Sequence, residues 1–473
     1  MSTKLEQLDE VRIVAPTGCL GYGFSKEDFL RALRERQPHV IAVDAGSTDP
    51  GPYYLGAGES FAQRVEVRSE LEIVIQAALD YDIPLIVGTC GGAGARAHVE
   101  WTREIVMELA REHSWSFRLG VIHSELDTEY LTDKLEAGDI VSFESGEELD
   151  AQAIAESTCV VAQMGAEPII EALRQGAQVV LAGRACDDAV FAALPLLHGL
   201  DPGLAHHMGK VLECGALASV PLSMDVMIGT IRRDHFELVP GAEHRACTVT
   251  SISSHSLYER ENPLRQAGPG GVVDLGQSVV TQLDPRSVRV EGTRYEPTDE
   301  YLLKLEGVRR VGTRVISVAG IRDRAMIEQL DEVLAETKRR AEGYFAGLGV
   351  GSDAYTIVFH AYGRDGVMRE LEPETRTAHE IGLVIDVVAD DPDLAKALCQ
   401  RLSGLLLHLD FPGQFNTAGN LAMLFSPANI EVGPVYAFSI YHLLRVTDPL
   451  EPFEIEVTDV QPQQALAAAA PGA

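Results

Sequence analysis

The residues best suited to chemistry fall in short loops that follow apolar runs. In residues 44–56, DAGSTDPGPYYLG, Asp44 comes straight after Val40-Ile41-Ala42-Val43, and Gly46, Ser47, Thr48, Asp49, a Pro50-Gly51-Pro52 turn and Tyr53-Tyr54 follow. Prolines and glycines stop the strand there. A carboxylate, hydroxyls and phenols on a stiff turn suit proton abstraction next to a carbonyl. Asp44 or Asp49 would be the base, Tyr53 or Tyr54 the proton donor, and glycine N–H groups would stabilise the enolate.

Three further loops share this logic. Residues 18–23 carry Gly18, Gly21 and Gly23. Residues 88–94, GTCGGAG, place Gly88, Thr89, Gly91 and Gly92 around Cys90, with Arg96 and His98 beyond. Residues 183–188, GRACDD, place Arg184 beside Asp187 and Asp188. Glycine lets backbone approach a ligand, and a helix start offers free N–H donors. Arg184 suits a carboxylate anchor; Asp187 suits acid–base work. Asp44, Asp187 and Asp188 together offer the alternative of a Mg²⁺ or Mn²⁺ site in a metal-dependent hydrolase or lyase. Thiols at Cys19, Cys90 and Cys186 sit in these loops, and Cys90 is the nucleophile candidate among them. Neither a dinucleotide G-x-G-x-x-G, a phosphate loop nor a G-x-S-x-G elbow is present, and no cofactor is expected. Farther along, the segments 304–307 and 312–323 put Arg314, Arg322 and Asp323 near strand ends, for an anion or for ion pairs.

The elements that must position these loops read as βαβ units. Apolar runs of four to six residues alternate with helical segments from residue 11 to about 188. The expectation is an α/β fold with a doubly wound, mostly parallel sheet in the N-terminal half, residues 1–235. In such a sheet ligands gather at the C-terminal ends of strands. A second, α+β domain is expected at 236–460, with strands that include 247–252, a Pro/Gly-rich loop at 254–271, and a frayed tail at 461–473.

Several motifs taken together resemble the acyclic terpene utilisation family: DAGSTDPGPYYLG, VGTCGGAGA, LAGRACDDAVF, HSLYEREN with GPGGVVDL, LKLEGVRRVGTRVISVAGIRD, and FPGQFNTAGN with LFSP. The resemblance spans about residues 10–450. It implies a place in bacterial degradation of acyclic terpenes through coenzyme A thioesters, and no catalytic residues carry over from it.

Composition narrows the rest. The formal net charge of -32 repels phosphate backbones and anionic lipid, so neither nucleic acid nor membrane is an expected partner. Seven cysteines without a CxxC fit free thiols in a reducing cytoplasm. The expectation is a cytoplasmic homo-oligomeric enzyme acting on a small carboxylate or acyl thioester. Lyase or hydratase chemistry leads; the metal-dependent version and a non-catalytic subunit of a larger complex stand as alternatives.

Overall fold

The computed structural model describes residues 7–461 apart from 144, 145, 147 and 416. Of the tail expected at 461–473, residues 462–473 lie outside the described residues. The chain is mixed α/β with large sheets. It divides into two compact units, Met1–Val308 with Phe438–Ala473, and Arg309–Ala437. The boundary expected at 235/236 falls instead inside the first unit, within the strand His235–Pro240, which forms a hairpin with Met227–Arg232.

The first unit is built on a ten-stranded sheet. Its order is Val279–Gln282, Val288–Glu291, His235–Pro240, Met227–Arg232, Glu10–Ala15, Val40–Asp44, Leu85–Gly88, Val179–Ala182, Phe117–His123, Glu454–Val460. The four pairings among the five strands from Glu10–Ala15 to Phe117–His123 are parallel. The other five are antiparallel. The sheet is therefore mixed, not mostly parallel as expected. The reason lies in the connections: two residues join Met227–Arg232 to His235–Pro240, and so short a link permits only antiparallel pairing.

Strand side chains alternate between two apolar layers. Val11, Ile13 and Ala15 face a core that includes Ala189, Val190 and Phe191 of the helix Asp187–Leu197 and Met208 of Pro202–Leu212. Val14, Ile41 and Val43 face the opposite core with Phe29, Leu71 and Val99 from the helices Lys26–Arg36, Arg64–Tyr81 and Arg96–His113. Burying each large side chain contributes about 1.5–3 kcal/mol before chain entropy is counted. Ser25 caps its helix as its position suggests, its hydroxyl accepting from Asp28 N at 3.2 Å. The strand expected at 247–252 is instead the start of the helix Val249–Leu257. A reciprocal capping box between Thr248 and Ser251 outweighs the short alternating pattern there. The loop at 254–271 carries the strand Arg265–Gly268, which pairs with Gly271–Asp274.

The second unit pairs Tyr355–Tyr362 with Ile381–Ala389, and Ile381–Ala389 with residues 313–321 of the long strand Tyr301–Ile321, all antiparallel. Leu383, Ile385 and Val387 form its core with Leu398, Leu402 and Leu406 of the helix Pro392–His408. The strand Asn429–Val446 carries no clear sequence signal, because Gly433 and Pro434 interrupt it. Among the described residues no helix is long and apolar enough to cross a membrane.

Candidate functional site

The loops after Val40–Asp44, Leu85–Gly88 and Val179–Ala182 leave neighbouring parallel strands on the same edge, and their backbones interlock. Ala45 N donates to Gly88 O at 2.8 Å, Thr89 N to Gly183 O at 3.1 Å and Cys90 N to Ala182 O at 2.9 Å. The close approach demands glycine. A Cβ on Gly46 would overlap the Gly92 carbonyl, and one on Gly94, at φ +71°, would overlap Arg184 N. Ser124 ties the last two loops together, donating to Gly94 O and accepting from Arg184 N.

Beside this knot lies a cavity of about 360 Å³. Ser47, Asp49, Arg184, Asp187 and Cys186 line it from the strand-end loops; Lys210, Arg260 and Lys304 add positive charge; Leu302, Tyr441 and Leu443 add apolar surface. All these residues belong to the first unit.

The sequence-derived candidates divide accordingly. Of the expected catalytic residues, Asp49 and Asp187 reach the cavity, and of the expected binding residues, Ser47 and Arg184 do. Asp44 lies beneath it, buried, with Oδ1 lacking any hydrogen-bond partner. Burial pushes its carboxyl well above the ordinary range, and Asp187 adds to that push against the pull of Arg184. Tyr53 does not line the cavity; its hydroxyl donates to Glu59 at 3.2 Å. Cys90 is fully buried in the core below the loops, and burial raises its thiol to about 12, which removes the thiolate a nucleophile needs.

The glycines expected to bind substrate have structural work. Gly18 packs against the Cys214 backbone. Gly21 and Gly23 donate their N–H groups to the Glu70 carboxylate, both at 2.7 Å, so the chain's own anion occupies that loop. Gly88 lies against Val190, Gly91 against His98 and Gly92 against Phe61. Thr48 and Thr89 are buried, and the Thr89 hydroxyl accepts from Ala185 N. Arg322 is exposed in the second unit and is not part of the cavity wall.

Arg184 departs from its expected role as anchor. It is 3% exposed, and its guanidinium donates to Glu306 through Nε at 2.8 Å, to Asp187 at 3.0 Å and to Ala185 O at 2.8 Å. Glu306, fully buried, also accepts Lys304 at 2.7 Å. Burial alone would raise Glu306, but the two cations outweigh it and hold the carboxyl down to about 2. This is a pre-paired internal network that sets Asp187 in place. Burial raises the Asp187 carboxyl in spite of Arg184, while its side chain stays 32% exposed toward the cavity.

Sequence reading missed the cations that face the space. Lys210 Nζ bonds Glu213 at 2.6 Å and Glu259 at 3.0 Å, and lies 4.5 Å from the Tyr258 ring centroid. Burial raises Glu213 to about 8 against the pull of Lys210. Arg260 is half-buried and makes no hydrogen bond or ion pair with a described residue. The signal for it was the charged triplet Glu259-Arg260-Glu261 inside a Pro/Gly-rich loop, since ligand-binding residues concentrate on loops.

The acids offered for a metal are otherwise engaged. Asp187 holds Arg184, and Asp188 accepts from Cys186 Sγ at 2.9 Å and bonds His206 Nδ1 at 2.9 Å. Among the described residues no group of three or more His, Cys, Asp or Glu side chains is arranged to hold a metal ion.

The family model for acyclic terpene utilisation family protein AtuA matches residues 55–227 and 239–421. The chain belongs to that family. The match takes in Arg184, Asp187, Lys210, Arg260 and Lys304, whereas the loop at 44–49 precedes it. No curated protein and no solved structure matches the chain. Family membership fits a role in acyclic terpene utilisation.

Proposed function

We propose that the protein is an enzyme that binds a small carboxylate or acyl thioester in this cavity and moves a proton at the carbon next to its carbonyl, as a lyase or hydratase does. The observation that carries the reading is Arg260, a guanidinium that makes no direct ion pair or hydrogen bond with a described residue, on the wall of the cavity that Asp187 also lines. Asp188, Glu213 and Asp187 favour its charged form without bonding to it directly, so its planar pair of donors is open to an anion from outside. Asp187 takes the proton-transferring role expected of Asp44 or Asp49. It reaches the cavity, and its raised pKa brings it toward the working pH. Arg184 and Glu306 hold it in position. A volume of about 360 Å³ is at the small end for ligand sites and suits a short acid or the acyl end of a coenzyme A ester. The apolar wall of Leu302, Tyr441 and Leu443 suits its hydrocarbon part.

Calorimetric titration with short carboxylic acids, their coenzyme A esters and the matching neutral amides tests the reading. A charge-assisted contact is worth about 1.5–3 kcal/mol, so Arg260→Ala weakens the charged ligands roughly 10- to 100-fold and leaves the amides unchanged. Equal affinity of variant and wild type for the charged ligands contradicts the assignment.

A further inference from the structure

A second, much smaller cavity of about 20 Å³ adjoins the first, sharing Cys186, Arg260, Gly268 and Pro269 with it. A single water needs about 10–15 Å³ of such space and two to four polar partners. The volume admits one water and little else. His206, Asp188 and Arg260 supply the polar wall.

The groups on that wall are arranged for more than storage. His206 Nδ1 is held by Asp188 Oδ2 at 2.9 Å, and the ring stacks on Tyr295 with centroids 5.7 Å apart. Its tautomer and orientation are thereby fixed. Nε2 has no hydrogen-bond partner among the described residues, and the ring lines the small cavity. The second Asp188 oxygen is fixed by the Cys186 thiol at 2.9 Å. A carboxylate-oriented imidazole with a free nitrogen is the standard arrangement for taking a proton from water. The charged groups around it are Asp188, Glu167 and Arg260, and Asp188 raises its basicity against the opposing effect of burial.

We infer that the small cavity holds the reacting water of a hydration, with His206 as its general base and Asp188 as the residue that positions His206. The inference rests on the reading of the large cavity given above and specifies its reaction. The substrate class is then an α,β-unsaturated acid or thioester. Water adds through oxygen to the β-carbon, and the alkene electron pair moves onto the carbonyl oxygen as an enolate. His206 Nε2 takes the water proton. The Asp187 carboxyl delivers a proton to the α-carbon as the carbonyl re-forms. His206 then loses its proton to solvent and Asp187 regains one from solvent, so no oxidant or further reactant is required.

Two measurements on the same protein separate this inference from the reading beneath it. The first is α-deuterium exchange into butanoyl coenzyme A in D₂O, followed by NMR. The second is incorporation of ¹⁸O from labelled water into 2-butenoyl coenzyme A, followed by mass spectrometry. Wild type is expected to do both. His206→Gln is expected to lower ¹⁸O incorporation at least 100-fold more than it lowers exchange, within the range of a lost general base. Asp188→Asn, as a second variant, keeps exchange and moves the acidic limb of the hydration pH profile to lower pH, because His206 loses the carboxylate that favours its protonated form. Exchange without ¹⁸O incorporation in wild type overturns the hydration inference alone. No exchange in wild type overturns the underlying reading with it. Equal loss of both activities in either variant reduces His206 and Asp188 to structural roles and overturns the inference.

Discussion

Glu306 decides how the charged centre is held at the scale of single residues. It sits between Arg184 and Lys304 with no exposure to solvent. Removing one partner of such a buried arrangement strands the others, at about 3–5 kcal/mol. Glu306→Ala is therefore expected to lower unfolding stability by that amount in a denaturant titration. The pair also gives stability a sign with pH. The folded carboxyl lies near 2 against an ordinary 4.5, so the unfolded chain binds the proton more readily. The contribution, on the order of 3 kcal/mol, is complete above about pH 4.5 and is lost as pH falls through about 2. Wild type should lose stability across that window more steeply than Glu306→Gln. Parallel curves for the two would show that Glu306 carries no such load.

The element scale is where loop geometry was legible. Glycine with a polar or thiol side chain after an apolar run marked residues 44–49, 88–94 and 183–188, and the three do meet at one edge because their strands are parallel neighbours. Which side chains would face the cavity was not legible. Lys210, Arg260 and Lys304 come from a helix, a loop and a strand far apart in the chain, and only Arg260, in a charged triplet within a Pro/Gly-rich loop, carries a local signal. The loop at 18–23 shows the opposite failure: it has the composition of an anion cradle, but Glu70, on the helix Arg64–Tyr81, already fills it. Glu70→Ala removes two charge-assisted hydrogen bonds and should cost about 1.5–3 kcal/mol. Hydrogen exchange at the Gly21 and Gly23 amides should accelerate with it; unchanged protection there would mean the loop is held by other contacts. The antiparallel flanks of the sheet were readable in principle from the two-residue link at 233–234. The run of βαβ segments before it favoured a parallel reading of the whole.

For the whole molecule, the net charge of -32 sets the approach of a ligand, and the cavity sets its capture. The long-range field repels an anion, while Arg260 attracts it at contact. Salt screens the first more than the second, since the Debye length falls from about 30 Å at 0.01 M to about 8 Å at 0.15 M. Association of a small carboxylate, measured by stopped flow, should therefore speed up with salt over that range. A steep fall would mean that a local positive field dominates at long range as well. The family match runs through both compact units, with separate cores in each. Every group assigned here to proton transfer belongs to the first.

The account stands most directly on Asp187 as the group that moves the proton. α-Deuterium exchange into butanoyl coenzyme A should fall by about 10²–10⁴ in Asp187→Asn, the usual range for a lost acid–base group, while calorimetry shows the ester still bound. Exchange at the wild-type rate in a folded Asp187→Asn protein would contradict it.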